Sequence, residues 1–331
     1  MIYDCANEMT RYHNKKVRLS KEEQDKLRGY RDANLDRLKN GLEKNDEPAY
    51  KKDISQGSYA MHTINQHPNN DYDIDVGIIF DREDLKGSQG GDKSALAARQ
   101  MVCEAMQNDR FNRAPEVLKN CVRVYYEEGY HVDMPVYRQY EDGNGDIVQE
   151  LASSDWEESD PEAITKWYNE TVKEKSPDTD NGRQMRRVTR LIKKWARSRS
   201  SWNMPSGFII SVLVDEKYIA EEGQDDEALY ETLKAIRDRL EDDKDVYNPV
   251  NGELISDGKE AQLQKMYDEL DKELNEVLDV LVDPNCSYED AMKAWSKFFN
   301  DDFFKEQIRE STESQREFES VKVMAKPWRS S

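Results

Sequence analysis

The stretch Tyr72–Phe80, YDIDVGIIF, decides how this chain is read. Its β-branched and aromatic residues, alternating at the start, predict a strand. Side chains on a strand alternate between faces, so Asp73 and Asp75 point one way while Ile74 points into a core. Two carboxylates side by side raise each other's pKa unless a cation sits between them. Magnesium suits such a pair, being a hard cation that takes one or two carboxylates plus phosphate oxygens. A second stretch, Tyr130–Tyr137 (YHVDMPVY), sets Asp133 in another predicted strand among apolar neighbours, where a charge is costly without a partner. Asp73, Asp75 and Asp133 on two metals would make a centre for in-line displacement at phosphorus, with Asp133 also available as a base. His131 is expected to face away from Asp133.

About fifteen residues before Asp73 lies Gln56-Gly57-Ser58. Glycine lets backbone N–H groups approach a phosphate, and the serine hydroxyl adds a donor. Gly-Ser alone is a common turn and Asp-x-Asp alone a common surface feature. Their succession, followed by a lone aspartate on a later strand, is far more specific.

Around this core the pattern predicts a helix from Ser20 to Lys44, opened by the capping-box spacing Ser20…Glu23, with Leu27, Tyr30, Leu35, Leu38 and Leu42 on one stripe. LKGSQGGDKS (85–94) reads as a loop and 95–108 as a helix. Strands over 122–126 and 130–137 pair around the turn Glu127-Glu128-Gly129. From Pro161 on, the pattern is mostly helical. One helix carries Met185, Val188, Leu191, Ile192 and Trp195. Its Arg186, Arg187 and Arg190 are taken as a phosphate-holding cluster in preference to partners for acidic helices. Pro205-Ser206 opens the apolar helix GFIISVLV, which must be buried. Helices follow over 221–245, 259–281 and 287–310, the last with a core stripe from Trp295 to Phe304.

The 331 residues carry a formal net charge of −20, with 36% charged and 36% hydrophobic residues. So acidic a chain argues against long nucleic acid as partner, because phosphate neutralisation supplies most of that affinity. Six Trp and seventeen Tyr argue against disorder. There is no run of about 18 apolar residues, so no membrane span is expected. The absence of an apolar leader and the four scattered cysteines, none in a CxxC pair, read as reduced and cytoplasmic, without structural zinc.

Gln56-Gly57-Ser58-Tyr59, Thr63-Ile64-Asn65, Asp73-Ile74-Asp75-Val76-Gly77 and His131-Val132-Asp133-Met134-Pro135-Val136-Tyr137 together resemble the polymerase-β-like nucleotidyltransferases, specifically the cGAS/DncV-like (CD-NTase) family. The likeness extends through Ser159-Asp160-Pro161, Trp167-Tyr168-Asn169, Arg186-Arg187-Val188, Arg190–Trp195 and Pro205-Ser206. It is close over roughly residues 50–215 and only in outline beyond. It implies an α/β (α+β) protein: an N-terminal helical segment (1–50) packing on both lobes, a nucleotidyltransferase core with a small mixed sheet (51–155), a helical lobe (156–322) and a flexible tail (323–331). The implied activity is Mg²⁺- or Mn²⁺-dependent synthesis of a cyclic di- or trinucleotide from nucleoside triphosphates, ATP among them, in a cleft between the lobes. The implied setting is anti-phage signalling to a downstream effector, with ubiquitin-like conjugation at the C-terminal tail. Lys193 and Ser206 would contact the donor triphosphate, and Arg123 would sit near the nucleotides, as would Gln56, Gly57 and Ser58. Met61 departs from the pattern, where an aromatic for base stacking is expected. Two other readings stay open: transfer to another acceptor (an RNA end, a protein or a small molecule), and a nucleotide-binding signalling module without catalysis.

Overall fold

A computed structural model describes residues 1–67, 72–87, 90–108 and 113–310. The chain divides into two compact units. One comprises Arg18–Glu174 with Pro249–Asn251; the other comprises Met1–Val17, Lys175–Asn248 and the stretch from Gly252 on. The N-terminal segment is thus shared out: α1 (Ala6–Tyr12) belongs to the helical unit and α2 (Lys21–Lys44) to the sheet unit.

α2 begins where the capping-box spacing places it. Ser20 Oγ accepts from the Glu23 N–H at 3.1 Å, and the Glu23 carboxylate accepts in return from the Ser20 N–H. Its buried Leu27, Leu38 and Leu42 form the stripe seen in the sequence. After α2 come β1 (Lys52–Gln56), the single turn α3 (Gly57–Ala60), β2 (Asp73–Asp81), α4 (Ala95–Ala105), β3 (Glu116–Val117), β4 (Val122–Tyr125), β5 (His131–Met134), β6 (Val136–Glu141), β7 (Ile147–Ala152), β8 (Trp156–Glu158) and α5 (Pro161–Lys175). The strands make one eight-stranded mixed sheet in the order β3-β4-β5-β2-β6-β7-β8, with β1 paired to β2.

β2 organises the sheet. It runs antiparallel to β1 and parallel to β5 and β6. The register does not change between the last two (Asp73↔His131, Ile78↔Val136), so β5 and β6 are halves of one line divided at Pro135. Proline has no N–H to give to a ladder, which explains why the single strand predicted over 130–137 is broken there. The Pro135 carbonyl still accepts from Ile78 N–H at 2.8 Å.

Alternation then sorts the two faces. Ile74, Val76, Ile78 and Phe80 of β2, Val122 and Val124 of β4, and Val132 and Met134 of β5 pack with α2 and α4 in the main core. Each such side chain removed from water contributes roughly 1.5–3 kcal/mol. Among the described residues the opposite face holds a small apolar cluster, Ile54, Ile79 and Tyr137, and on β2 it also carries Asp73 and Asp75. The strands β1, β7 and β8 have no counterpart in the sequence reading. Their side chains are mostly exposed or half-buried, Ile54 and Ala152 being the buried ones, so they show little hydrophobic alternation.

The helical unit contains α1, α6 (Gln184–Ala196), α7 (Gly207–Lys217), α8 (Asp225–Asp242), α9 (Glu260–Glu276) and α10 (Tyr288–Phe299). In α6, Met185, Val188, Leu191, Ile192 and Trp195 are all buried, and α7 buries Ile209 to Val214. Trp195, Trp295, Phe298, Phe299, Phe303, Phe304 and Tyr12 form one aromatic core, as the stripe predicts. Arg187 corrects the phosphate-cluster expectation. Its guanidinium is held bidentate by Asp225 (2.6 and 2.8 Å) and by Asp178 at 2.6 Å, a largely desolvated pair that commits it to structure. Arg190 reaches His13 Nε2 at 3.3 Å, and Arg186 donates to the Gly182 carbonyl. Among the described residues no helix is long and apolar enough to cross a membrane. The proposed flexible tail, 323–331, lies outside the described residues.

Candidate active site

The three acids of the sequence reading meet on the polar face of the sheet. Asp73 and Asp75 are two apart on β2 and share a face; Asp75 is in register with Asp133 of β5, and Asp73 with His131. Asp73 is exposed, Asp75 half-buried and Asp133 buried. Burial pushes the Asp75 carboxyl up to about 7, with the charges of Asp133 and then Asp73 adding to the shift and Arg123 opposing it. Asp75 therefore senses both other acids, as a shared anionic site requires.

Gly57 touches the same carboxylate. Its φ is +64°, in the left-handed region, and a Cβ there would overlap Asp75 Oδ2. Only glycine lets the backbone turn this closely beside the acid. Gln56 pairs with Asp75 in the β1–β2 ladder, and its side-chain Oε1 accepts from the Tyr137 hydroxyl at 3.2 Å. Gly77 gives that amide its room, since a Cβ at 77 would lie 2.7 Å from it. Gln56 is thus tied under the Gly57-Ser58 turn, and Tyr137→Phe is expected to cost about 1 kcal/mol of stability by leaving its amide oxygen short of a donor. Chemical denaturation reads this; an unchanged midpoint would dismiss the tie. Met61 is buried, 4% exposed, so it is a core residue and offers no surface for a base.

Arg123 has a partner that the sequence reading did not name. Expected near a nucleotide, it lies across Asp133: Nε is 2.7 Å from Oδ1 and Nη2 is 2.7 Å from Oδ2, with Nη2 also 3.5 Å from Asp73 Oδ1. The signal was available. A hairpin centred on Glu128 pairs residue 128 − 5 = 123 with 128 + 5 = 133, and Arg123↔Asp133 is the observed register. His131, expected to face away from Asp133, is a correction. Residues 131 and 133 are two apart and so share a face; His131 Nδ1 lies 3.3 Å from Asp73 Oδ1, with its ring edge-on to Tyr125.

The acids fit a divalent cation by donor chemistry: hard oxygen ligands on adjacent strands, crowded enough to raise one another's affinity for positive charge. Among the described residues no group of three His, Cys, Asp or Glu side chains forms a ready-made metal cage. Arg123 occupies both oxygens of Asp133 instead.

In the helical unit, Lys193 and Ser206 come together. Ser206 caps α7, accepting from Ile209 N–H at 3.4 Å, and Lys193 packs on the adjacent Gly207, its Cε 3.3 Å from where a Cβ would stand. Lys193 is buried and not part of a solvated helix face. Burial brings its amine down to about 7, with Arg197 and Arg190 contributing. The charged amine is therefore costly below pH 7, and that cost fades as pH rises towards the unfolded value near 10.4. Lys193→Met is expected to raise the melting temperature by on the order of a few degrees at pH 6 and by less at pH 9. Equal shifts at both pH values would refute a buried, titrating amine.

A mixed sheet with paired acids on its central strand, a third on the neighbouring strand and a glycine turn against them has the architecture of a polymerase-β-like nucleotidyltransferase domain. Residues 51–137 match the family described as cyclic GMP-AMP synthase DncV-like, nucleotidyltransferase domain. Over those residues the chain is similar to the cGAS/DncV-like nucleotidyltransferases. It is 27% identical over 216 residues to a cyclic GMP-AMP synthase of Escherichia albertii, a match covering 62% of this chain and 46% of that protein. The chain thus spans just under half the length of that curated relative. Its fold is similar to Vibrio cholerae DncV cyclic AMP-GMP synthase in complex with the linear intermediate 5′ pppA(3′,5′)pG (TM-score 0.68, 15% identity, 90% of this chain and 96% of that one). It is similar also to E. coli MS115-1 CdnC with ATP (TM-score 0.66, 18% identity, 91% and 98%).

Proposed function

We propose that this protein is a divalent-metal-dependent nucleotidyltransferase that joins nucleoside triphosphates, ATP among them, and closes the product into a cyclic di- or trinucleotide second messenger. The observation that carries this reading is the in-register meeting of Asp75 with Asp133, beside Asp73 and under the Gly57 turn. Asp73, Asp75 and Asp133 would hold Mg²⁺ or Mn²⁺, which when bound supplies Lewis-acid charge at phosphorus and acidifies a coordinated hydroxyl. Gly57 and Ser58 offer a backbone turn and a hydroxyl to triphosphate oxygens. Asp133 offers a carboxylate oxygen to the proton leaving an attacking ribose 3′-hydroxyl. Lys193 and Ser206 present a cation and a hydroxyl at the N-terminus of α7, a combination suited to phosphate. The relatives' names support a cyclic product: one is a cyclic GMP-AMP synthase, and another was captured with a linear dinucleotide.

A cytoplasmic role in anti-phage signalling, through a separate effector that senses the messenger, belongs to the same reading and rests on the family resemblance. So does attachment of the C-terminal tail by ubiquitin-like conjugation machinery.

The test is direct. Purified protein is incubated with labelled ATP, GTP, CTP and UTP, singly and mixed, with Mg²⁺ or Mn²⁺, and the products are treated with phosphatase. A phosphatase-resistant cyclic species that disappears in the Asp73→Ala/Asp75→Ala double variant is expected. Only linear products, or label carried on another acceptor, would overturn cyclisation. Tight triphosphate binding without turnover would overturn catalysis.

A further inference from the structure

Three carboxylates on one face should repel one another, yet Asp133 is the most buried of them, its side chain only 10% exposed. Arg123 resolves this. Its guanidinium fork takes both Asp133 oxygens at 2.7 Å and extends its Nη2 to 3.5 Å from Asp73. At 25% exposure it is partly desolvated, which makes such a bidentate pair strong. A carboxylate held bidentate by Arg has its favourable lone pairs engaged, leaving little for a hard cation. His131 makes a second contact to the same Asp73 Oδ1 at 3.3 Å.

We propose that Arg123 is the resident counter-cation of the acid cluster. It holds Asp133 and Asp73 in the metal-free protein, and a divalent cation enters by exchange, turning the guanidinium out towards the triphosphate. The proposal rests on the metal reading given under Proposed function. Exchange has a functional consequence. A cation arriving alone must evict Arg123 and leave it without an anion, whereas a cation arriving with a triphosphate supplies one. Metal and nucleotide binding are therefore positively coupled, and by linkage the coupling is the same in both directions.

Mn²⁺ binding, followed by electron paramagnetic resonance of the free ion, tests this without reference to turnover. Wild type, Arg123→Gln and Arg123→Lys are titrated with Mn²⁺ alone and again with a non-hydrolysable triphosphate. Arg123→Gln is expected to bind Mn²⁺ alone on the order of tenfold more tightly than wild type, the scale set by losing one close charge pair. It should show a smaller further gain when the triphosphate is added. Arg123→Lys, which keeps the charge but loses the fork, should fall between. Binding of Mn²⁺ alone by Arg123→Gln that equals or is weaker than wild type overturns the proposal while leaving the metal reading intact. No Mn²⁺ binding by wild type even with triphosphate, or binding undiminished in Asp73→Asn, overturns both. Should Arg123→Gln fail to fold, the wild-type Arg123 Nε–H resonance decides. It should be protected from exchange in EDTA and lose that protection with Mg²⁺ and triphosphate; persistent protection would refute exchange.

Discussion

Asp75→Asn should abolish nucleotidyl transfer and, in EDTA at pH 8, raise the melting temperature. The two effects share one cause. Asp75 is pressed by burial and by the charges of Asp133 and Asp73 until its carboxyl titrates at about 7. In the unfolded chain it ionises near 3.9. Between those values the folded protein binds the extra proton, so this group's contribution to stability declines as pH climbs from about 4 through 7. At pH 8 the full cost of a buried charge is present, and at pH 5 most of it is gone. Asparagine keeps the shape without the charge. The variant should therefore gain on the order of a few degrees at pH 8 and distinctly less at pH 5. Activity should fall by about 10³-fold or more, the loss expected when electrostatic stabilisation of a transition state is removed. Scanning calorimetry at the two pH values, beside the product assay, checks both halves. A variant that is inactive and also less stable at pH 8 would contradict an acid strained for function.

Gly57→Ala should be nearly as damaging, for a steric reason. The residue lies at φ +64°, and its new Cβ would fall on Asp75 Oδ2. An alanine forced into the left-handed region costs roughly 1–2 kcal/mol before any clash is counted. The clash cannot be relieved cheaply, because Gln56 on one side is in the β1–β2 ladder and its amide is tied to Tyr137. Either the Asp75 carboxylate rotates or the turn opens. Both spoil the approach of backbone to acid, so a loss of about 10²-fold in turnover is expected, the scale for displacing a positioned group by an ångström. Product formation should drop in step with the thermal midpoint. Near-normal turnover in Gly57→Ala would show that the turn does not cradle the reacting phosphates.

The site was more legible in the sequence than its surroundings, and the reason is periodicity. Asp73, Asp75 and Asp133 sit at positions where period-two alternation on strong β-formers leaves one choice of face, and Ile74 and Val132 fill the core between them. The capping box at Ser20 and the apolar run of α7 were equally unambiguous, each being a local pattern. What was hidden depends on partners distant in sequence. Nothing near Arg187 announces that Asp225, 38 residues on, will claim it. The strands β7 and β8, at one end of the sheet, carry mostly exposed or half-buried side chains, so no alternation betrays them. Arg123 and His131 lie between these cases. Their neighbours follow from the hairpin register, which the turn at 127–129 already contains.

That turn has a consequence for how this protein tolerates change. Gly129, at φ +99°, closes it, with its N–H bonded to the Tyr126 carbonyl and Tyr126 N–H to the Tyr130 carbonyl. Exposed loop tips are ordinarily where lineages lose and gain residues with impunity. Here the tip sets which side chain stands opposite Asp133. Shortening it by one residue would slide β4 against β5 and bring Val122 or Val124 where Arg123 now stands, turning the guanidinium to the opposite face. A deletion at the surface, touching no residue of the site, would disarm it as surely as replacing an acid.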